Sequence, residues 1–117
     1  MDSLLDLRDK TRAFTAARDW DQFHSPKNLS CALVVEAGEL LEHFTWLSPE
    51  DASVIGDQER SKIGEEIADV LIYLVRLSDK LGIDPVAAAE SKLAKNELAY
   101  PVELARGSSK KYTELRP

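Results

Sequence analysis

The sequence predicts an all-α protein, a bundle of four main helices. Apolar residues recur at helical spacing in four segments, and no segment alternates apolar and polar residues as a strand does. Serine, aspartate and proline punctuate the segments at positions typical of helix starts. Because the links between segments are short, we expect the helices to pack into a single domain spanning residues 1–117.

The first predicted helix covers about residues 3–18. Its expected core stripe follows the i, i+3, i+7, i+10 pattern: Leu4, Leu7, Thr11 and Phe14. The connection after it carries two aromatic side chains. We expect Phe23 to close the end of the core, whereas Trp20 suits packing and binding equally, because loops often carry binding groups.

A second helix is predicted from Pro26, with Ser25 as its N-cap, to about Trp46. One face collects mainly apolar residues: Leu29, Ala32, Leu33, Glu36, Leu40, His43 and Phe44. Cys31 is the only cysteine, so it has no disulfide partner, and we expect it to be a small core residue. Residues 49–58 are expected to form a mobile connection with a short helical turn at most.

The third predicted helix covers about residues 59–81, with Gly82 directly after its end. Its apolar stripe runs along the whole length: Ile63, Ile67, Val70, Leu71, Leu74, Leu77 and Leu81. Residues 70–75 are apolar nearly all round, and such a helix must be buried on more than one side. In a chain of this size a second subunit is the simplest cover, so we expect a homodimer or a tetramer.

The fourth predicted helix begins at Pro85, with Asp84 as its N-cap, and ends before Pro101. Residues 101–117 are predicted to form an extended C-terminal tail. The net charge of −6, from 21 acidic and 15 basic residues, argues against a protein that coats nucleic acid polymers. We see no signal peptide and no run long enough to span a membrane, which together predict a cytoplasmic protein.

Two carboxylate pairs interrupt the apolar stripes of the second and third helices. Glu36 and Glu39 form one pair, and Glu66 and Asp69 form the other. The i, i+3 spacing puts both members of a pair on one helix face. Since consecutive long helices usually pack antiparallel, we expect the two pairs to face each other.

Four carboxylates gathered in a partly buried site repel one another unless protons or cations compensate their charge. Hard divalent cations such as Mg²⁺ prefer oxygen ligands and also bind phosphates. A solvated acidic face is the common alternative for a single pair; two pairs on adjacent helices make the two interpretations about equally strong. A di-iron bundle is disfavoured because the Glu-x-x-His motif that it requires is missing. Lys92 is open to two interpretations, a phosphate ligand or a solubilising charge.

These motifs resemble the MazG-like all-α nucleoside triphosphate pyrophosphatases, and in particular their dCTP pyrophosphatase branch. The resemblance covers about residues 8–115 and includes Glu-x-x-Glu followed, on the next helix, by Glu-x-x-Asp. Further matching segments are residues 18–24, 26–29, 36–40, 69–75, 100–102, 106–108 and 111–113.

The resemblance implies a MazG-like bundle whose subunits pair, commonly into a tetramer of two dimers. It implies hydrolysis of a nucleoside triphosphate, dCTP or a modified dCTP, to the monophosphate and diphosphate. It implies that four carboxylates hold Mg²⁺: Glu36, Glu39, Glu66 and Asp69. It places phosphate contacts at Lys92 and Asn96 and base contacts at Trp20, Trp46 and Tyr73. The branch carries a histidine where this sequence has Thr11.

The predicted function is therefore a Mg²⁺-dependent pyrophosphohydrolase of nucleotide-pool house-cleaning, in which Glu36 or Glu39 activates the attacking water. Two alternatives belong to other classes. One is a helical module that binds a nucleotide or a partner helix without turnover, and the other is a purely structural bundle.

Overall fold

The protein's structure, a computed structural model, describes residues 3–115, and regular secondary structure in that range is helical throughout. The α-helices are α1 (Leu4–Ala17), α2 (Pro26–Glu42), α3 (Pro49–Ala52), α4 (Asp57–Lys80), α5 (Pro85–Ala99) and α6 (Val102–Ala105). Two 3₁₀ turns, Asp21–Phe23 and Tyr112–Glu114, complete the described chain. The predicted all-α class and the four main helices are confirmed.

Helix ends form through the local chemistry that the sequence indicated. The Ser25 hydroxyl accepts a hydrogen bond from the Asn28 N–H at 3.1 Å, which caps α2. The Asp84 carboxylate caps α5 by accepting from two backbone N–H groups at 3.0 and 3.1 Å. Gly82 has a φ of +67°, the left-handed region that glycine adopts without strain, and it ends α4.

The second helix ends earlier than predicted, at Glu42 instead of about Trp46. Beyond Glu42 the backbone tightens into i→i−3 bonds, of which the Phe44 N–H to Leu41 carbonyl bond is 2.8 Å long. The connection that follows contains α3, a single turn capped by Ser48.

The chain divides into two compact units, and the first ends at Ile83. In this unit α4 packs against both α2 and α1. Arg76, late in α4, contacts His24 just before the start of α2, while Glu59, early in α4, lies 3.7 Å from His43 just after the end of α2. The two helices are therefore antiparallel, as predicted.

The apolar core of the described chain is small. Leu29 on α2 and Val75 on α4 are the fully buried apolar residues. The small polar residues Thr11, Thr15 and Ser78 are buried as well. The predicted core face of α2 is confirmed, because its other members are half-buried.

The predicted core stripe of α4 is partly wrong. Four of its members are exposed in the single chain: Ile67, Leu71, Leu74 and Leu81. The sequence leaves α4 apolar nearly all round, and one chain covers only the side that carries Val75 and its neighbours. Which side is covered depends on the rotation of the helix against α1 and α2, and a pattern that is apolar on all sides does not encode that rotation.

Three further core predictions are wrong. Phe14 is 50% exposed, Phe23 is 60% exposed, and Cys31 is exposed as well. Phe14 lies beside Trp20 at the surface, whereas the small hydroxyl residues Thr11 and Thr15 take the buried positions of α1.

The second unit begins at Asp84 and contains α5, α6 and the second 3₁₀ turn. The rings of Tyr100 and Tyr112 meet edge to face, with their centroids 6.2 Å apart. The tail, predicted as extended, therefore carries two short helical turns and folds back onto the end of α5. None of the helices in residues 3–115 is both long and apolar enough to cross a bilayer.

Candidate metal centre and adjoining cavity

Three carboxylates from two helices converge between α2 and α4. Glu36 and Glu39 lie one turn apart on α2, and Glu66 lies on the facing side of α4. One oxygen of each residue lies within 4.8 Å of the others, a spacing that a single cation could bridge. The convergence follows from the antiparallel packing of two helices that each carry a carboxylate inside an apolar pattern.

The cluster is electrostatically unsatisfied. Glu36 Oε2 and Glu66 Oε2 are buried, and neither has a hydrogen-bond partner. The pKa of Glu36 rises to about 7, first because burial disfavours its charged form and then because Glu39, Asp69 and Glu66 are close. A buried, unpartnered polar atom is costly, so two in one cluster indicate a missing compensator.

The donor set fits a hard divalent cation. It consists of carboxylate oxygens, which Mg²⁺, Ca²⁺ and Mn²⁺ prefer, and it lacks the sulfur and imidazole ligands that favour softer metals. A cation would also interact with the two buried oxygens that lack hydrogen-bond partners. Protons could satisfy these oxygens only by neutralising the carboxylates.

Asp69, the fourth predicted ligand, lies near this cluster but is not one of its three members. Its charge contributes to the raised pKa of Glu36, and its side chain lines a neighbouring cavity. Asp69 therefore connects the carboxylate cluster to the cavity.

The cavity has a volume of about 380 Å³, within the range of small-molecule sites. Its aromatic wall consists of Phe14, Trp20 and Tyr73. Its polar lining includes Lys10, Thr11, His24 and Arg76. The predicted base contacts Trp20 and Tyr73 therefore share one cavity with Asp69, and Thr11 lies there too.

Phe14 was missed as a site residue because its spacing matched a core stripe. Its ring meets Trp20 edge to face, with centroids 5.6 Å apart and planes at 72°. The Arg18 guanidinium lies 3.7 Å from the centroid of the Phe14 ring. Within the aromatic wall, the Phe14 ring therefore contacts both Trp20 and Arg18.

A network of ion pairs lies beside the cavity at the C-terminal half of α4. Arg76, only 5% exposed, donates hydrogen bonds to His24, Asp21 and Asp79. Arg12 donates to Asp79 at 2.7 Å from its Nε. Sequence patterns do not indicate most of these contacts, because all partners except the i, i+3 pair Arg76 and Asp79 lie more than 50 residues apart along the chain.

This network is satisfied internally, and the pKa shifts reflect that. The pKa of Asp79 is lowered, chiefly by the hydrogen bond from Arg12. The pKa of Asp21 is lowered as well, chiefly by the hydrogen bond from Lys80, whose Nζ lies 2.6 Å from its Oδ1. Both shifts favour the charged carboxylates, the opposite of what happens at Glu36.

Three predicted substrate contacts lie elsewhere in the described chain. Trp46 is 93% exposed in the turn after α2 and does not line the cavity. Lys92 and Asn96 lie one turn apart on α5, in the second compact unit. Their roles stay predictions.

Fold and site together define a helical protein with an all-carboxylate centre, suited to a divalent cation, next to an aromatic cavity. Comparison with known proteins narrows this class. The sequence profile of the MazG-like family matches residues 31–115. The chain is 47% identical to dCTP pyrophosphatase 1 of Homo sapiens over 115 residues, 97% of this chain and 68% of that protein.

Two further relatives agree. The dCTP pyrophosphatase 1 of Bos taurus is 44% identical over the same coverage. The crystal structure of a pyrophosphatase from Archaeoglobus fulgidus superposes with a TM-score of 0.81 at 39% identity, over 86% of this chain and 94% of that one. The chain belongs to the MazG-like family, and the family predicted from its motifs is confirmed.

Proposed function

We propose that this protein is a nucleoside triphosphate pyrophosphohydrolase that converts dCTP, or a modified dCTP, to the monophosphate and diphosphate. The observation that carries the proposal is the carboxylate cluster of Glu36, Glu39 and Glu66, with two orphaned buried oxygens, next to an aromatic cavity. The relatives named dCTP pyrophosphatase support the substrate.

The proposed cofactor is Mg²⁺, held by Glu36, Glu39, Glu66 and Asp69. When bound, it would neutralise charge on the triphosphate and lower the pKa of the attacking water. The raised pKa of Glu36 supports this assignment, because it reflects burial of negative charge that is not compensated within the carboxylate cluster. Because the ligands come from two helices packed along their length, their geometry is set before substrate arrives.

The reaction needs a group that orients the water and accepts its proton. Glu36 and Glu39 are the candidates, since both lie in the cluster and carboxylates can act as general bases within hydrogen-bond reach. Attack at the α-phosphorus, in line with the departing diphosphate, would leave the nucleoside monophosphate in the cavity.

Aromatic side chains would hold the base. Trp20 and Tyr73 line the cavity and present faces on which a pyrimidine can stack. We also propose base contact by Trp46 and phosphate contact by Lys92 and Asn96, on the strength of the motifs that these residues match. Asp69 lines the cavity and lies near Glu36, so as a proposed metal ligand it would hold the metal, and through it the phosphates, next to the cavity.

We further propose that the chain forms a single MazG-like domain and assembles with copies of itself into a dimer or tetramer. The support is the amount of exposed apolar surface on α4 and α5. Ile67, Leu71 and Leu74 are exposed on α4, and Leu93 and Leu98 are exposed on α5. Monomeric proteins rarely leave so many large apolar residues uncovered.

The test is product analysis with purified protein and dCTP. The proposal predicts dCMP and diphosphate in equal amounts with Mg²⁺, and no products when EDTA removes the metal. Release of orthophosphate and dCDP, or tight dCTP binding without any product, would contradict it. A panel of canonical and 5-substituted nucleoside triphosphates then ranks the substrates.

A further inference from the structure

His24 lies at a constrained point of the cavity wall. It follows the 3₁₀ turn Asp21–Phe23 and precedes the first residue of α2 by two positions. Its backbone N–H donates to the Asp21 carbonyl at 3.0 Å. On its other side, Asn28 donates to the Phe23 carbonyl at 3.0 Å and Ser25 caps α2. The imidazole therefore extends from a backbone held on both flanks.

The tautomer of His24 is fixed by its partner. Arg76 Nε–H donates to His24 Nδ1 at 3.2 Å, and a guanidinium nitrogen is always a donor. Nδ1 must therefore be an acceptor, which leaves the ring proton of the neutral imidazole on Nε2. The pKa of His24 is lowered, first by burial and then by the charge of Arg76, and this keeps the second proton off Nδ1.

Arg76 is itself immobilised. Its side chain is buried, and besides His24 it donates to Asp21 and to Asp79. Asp79 is held in turn by Arg12. The direction of the His24 ring is thus set by an ion-pair network that anchors α1, α4 and the 3₁₀ turn together.

Other polar groups of the cavity lack this combination. The Thr11 hydroxyl already donates to the Arg8 carbonyl at 2.8 Å, and Arg76 is committed to its three partners. Within residues 3–115, no hydrogen bond engages His24 Nε2. The neutral His24 ring therefore carries one unused N–H donor, at Nε2, on the wall of a largely apolar cavity.

We propose that His24 is a specificity-determining residue, which donates its Nε2–H to an acceptor on the ring edge of the substrate's pyrimidine base. This inference rests on the proposed function. The matching acceptors on cytosine are O2 and N3. Uracil and thymine share O2, but their N3 carries a proton, so a fixed donor opposite N3 would reject them.

Two substitutions of His24 test the roles of its two ring nitrogens separately. In His24→Asn the amide oxygen can replace Nδ1 as the acceptor for Arg76, while the group at the Nε2 position is gone. In His24→Gln the longer amide places a donor near the Nε2 position but loses the acceptor for Arg76. His43→Asn is the matched control, since His43 lies beside Glu59 outside the cavity.

The experiment measures kcat and KM for dCTP and dUTP with Mg²⁺, and the melting temperature of each variant. We expect His24→Asn to raise KM for dCTP roughly 3- to 10-fold with kcat and melting temperature nearly unchanged. We expect His24→Gln to raise KM less but to melt at a lower temperature. His43→Asn should match the wild type in KM.

The proposal is supported if His24→Asn has the larger effect on KM while His24→Gln has the larger effect on melting temperature. If His24 had only a structural role, the variant with the lower melting temperature would also have the higher KM. A selective KM effect on dCTP assigns N3 as the acceptor, and an equal effect on dCTP and dUTP assigns O2. Unchanged KM in His24→Asn, or a KM that simply follows melting temperature, overturns the proposal while wild-type turnover stands. Absence of wild-type turnover is a different result, which overturns the proposed function.

Discussion

The two halves of α4 solve the problem of buried charge in opposite ways. In the N-terminal half, Glu66 meets Glu36 and Glu39, and all the charges have the same sign. In the C-terminal half, Arg76 and Asp79 meet Arg12 and Asp21, and positive and negative groups alternate. One cluster contains orphaned buried oxygens, whereas in the other the carboxylates accept hydrogen bonds from arginine or lysine.

This contrast indicates which of the two clusters lacks a compensating group. The ion-pair network is complete within the chain, so its function is to fix the positions of α1, α4 and the turn that carries His24. We propose that the carboxylate cluster is complete only with a bound cation, since burial and the neighbouring Glu39, Asp69 and Glu66 raise the pKa of Glu36 instead of lowering it. Substitutions in the carboxylate cluster should therefore change activity and the response to metal, whereas substitutions in the ion-pair network should change stability.

The largest effect is expected in the carboxylate cluster. Glu39→Gln removes a proposed metal ligand with little change in shape, and we expect pyrophosphate release from dCTP to fall by at least on the order of 100-fold. The matched control is Glu65→Gln, an exposed carboxylate next to Glu66. Full activity in Glu39→Gln would remove this residue from the metal site.

The second prediction concerns the ion-pair network. Arg76→Met leaves Asp21 and Asp79 without their shared buried partner, and we expect the free energy of unfolding to fall by about 3 kcal/mol. Urea denaturation measures the loss, and Arg60→Met, at an exposed position of α4, is the control. A destabilisation that Mg²⁺ fully reverses would contradict the separation of the two clusters.

The third prediction is a substitution that stabilises the metal-free protein, whereas most substitutions destabilise a protein. Glu36→Gln removes one like charge from the cluster, so the metal-free variant should be more stable than the metal-free wild type, by about 1 kcal/mol. Thermal unfolding in EDTA measures this difference. A metal-free variant that is less stable than the wild type would show that the cluster is already compensated.

The smallest effect is expected at acid pH. The folded-state pKa of Asp79 lies below its ordinary value of 3.8, so the stability from its ion pairs is fully present above that pH. It is lost as pH falls from 3.8 through the folded-state pKa, because the unfolded chain takes up the proton first. Asp79→Asn should flatten the dependence of unfolding free energy on pH in this window, and an unchanged slope would contradict the assignment.

The sequence predicted the features that depend on neighbouring residues. The helix starts at Pro26 and Pro85, and the end of α4 shortly before Gly82, follow from capping chemistry that acts over a few positions. The convergence of Glu36 and Glu39 with Glu66 was predictable too, since each pair contradicts the apolar pattern around it and antiparallel packing is the usual outcome.

The features that the sequence did not predict depend on helix rotation and distant partners. Phe14 has the spacing of a core residue, yet it lies against Trp20 at the surface. The contact between Arg76 and His24 joins positions 52 residues apart, and no spacing in the sequence indicates that the two residues are partners. The exposed face of α4 matches core spacing as well, because a single chain does not distinguish an internal face from one that a second copy would cover.

We propose above all that the carboxylate cluster requires a divalent cation. The most direct test is the melting temperature of the wild-type protein as a function of Mg²⁺ concentration, without substrate. Because a ligand that binds only the folded state stabilises it in proportion to RT ln(1 + [L]/Kd), we predict a melting temperature that rises continuously with Mg²⁺. The control is Glu66→Gln, which lacks one proposed metal ligand and should give a nearly flat curve. An equally flat curve for the wild type would contradict the requirement for a cation.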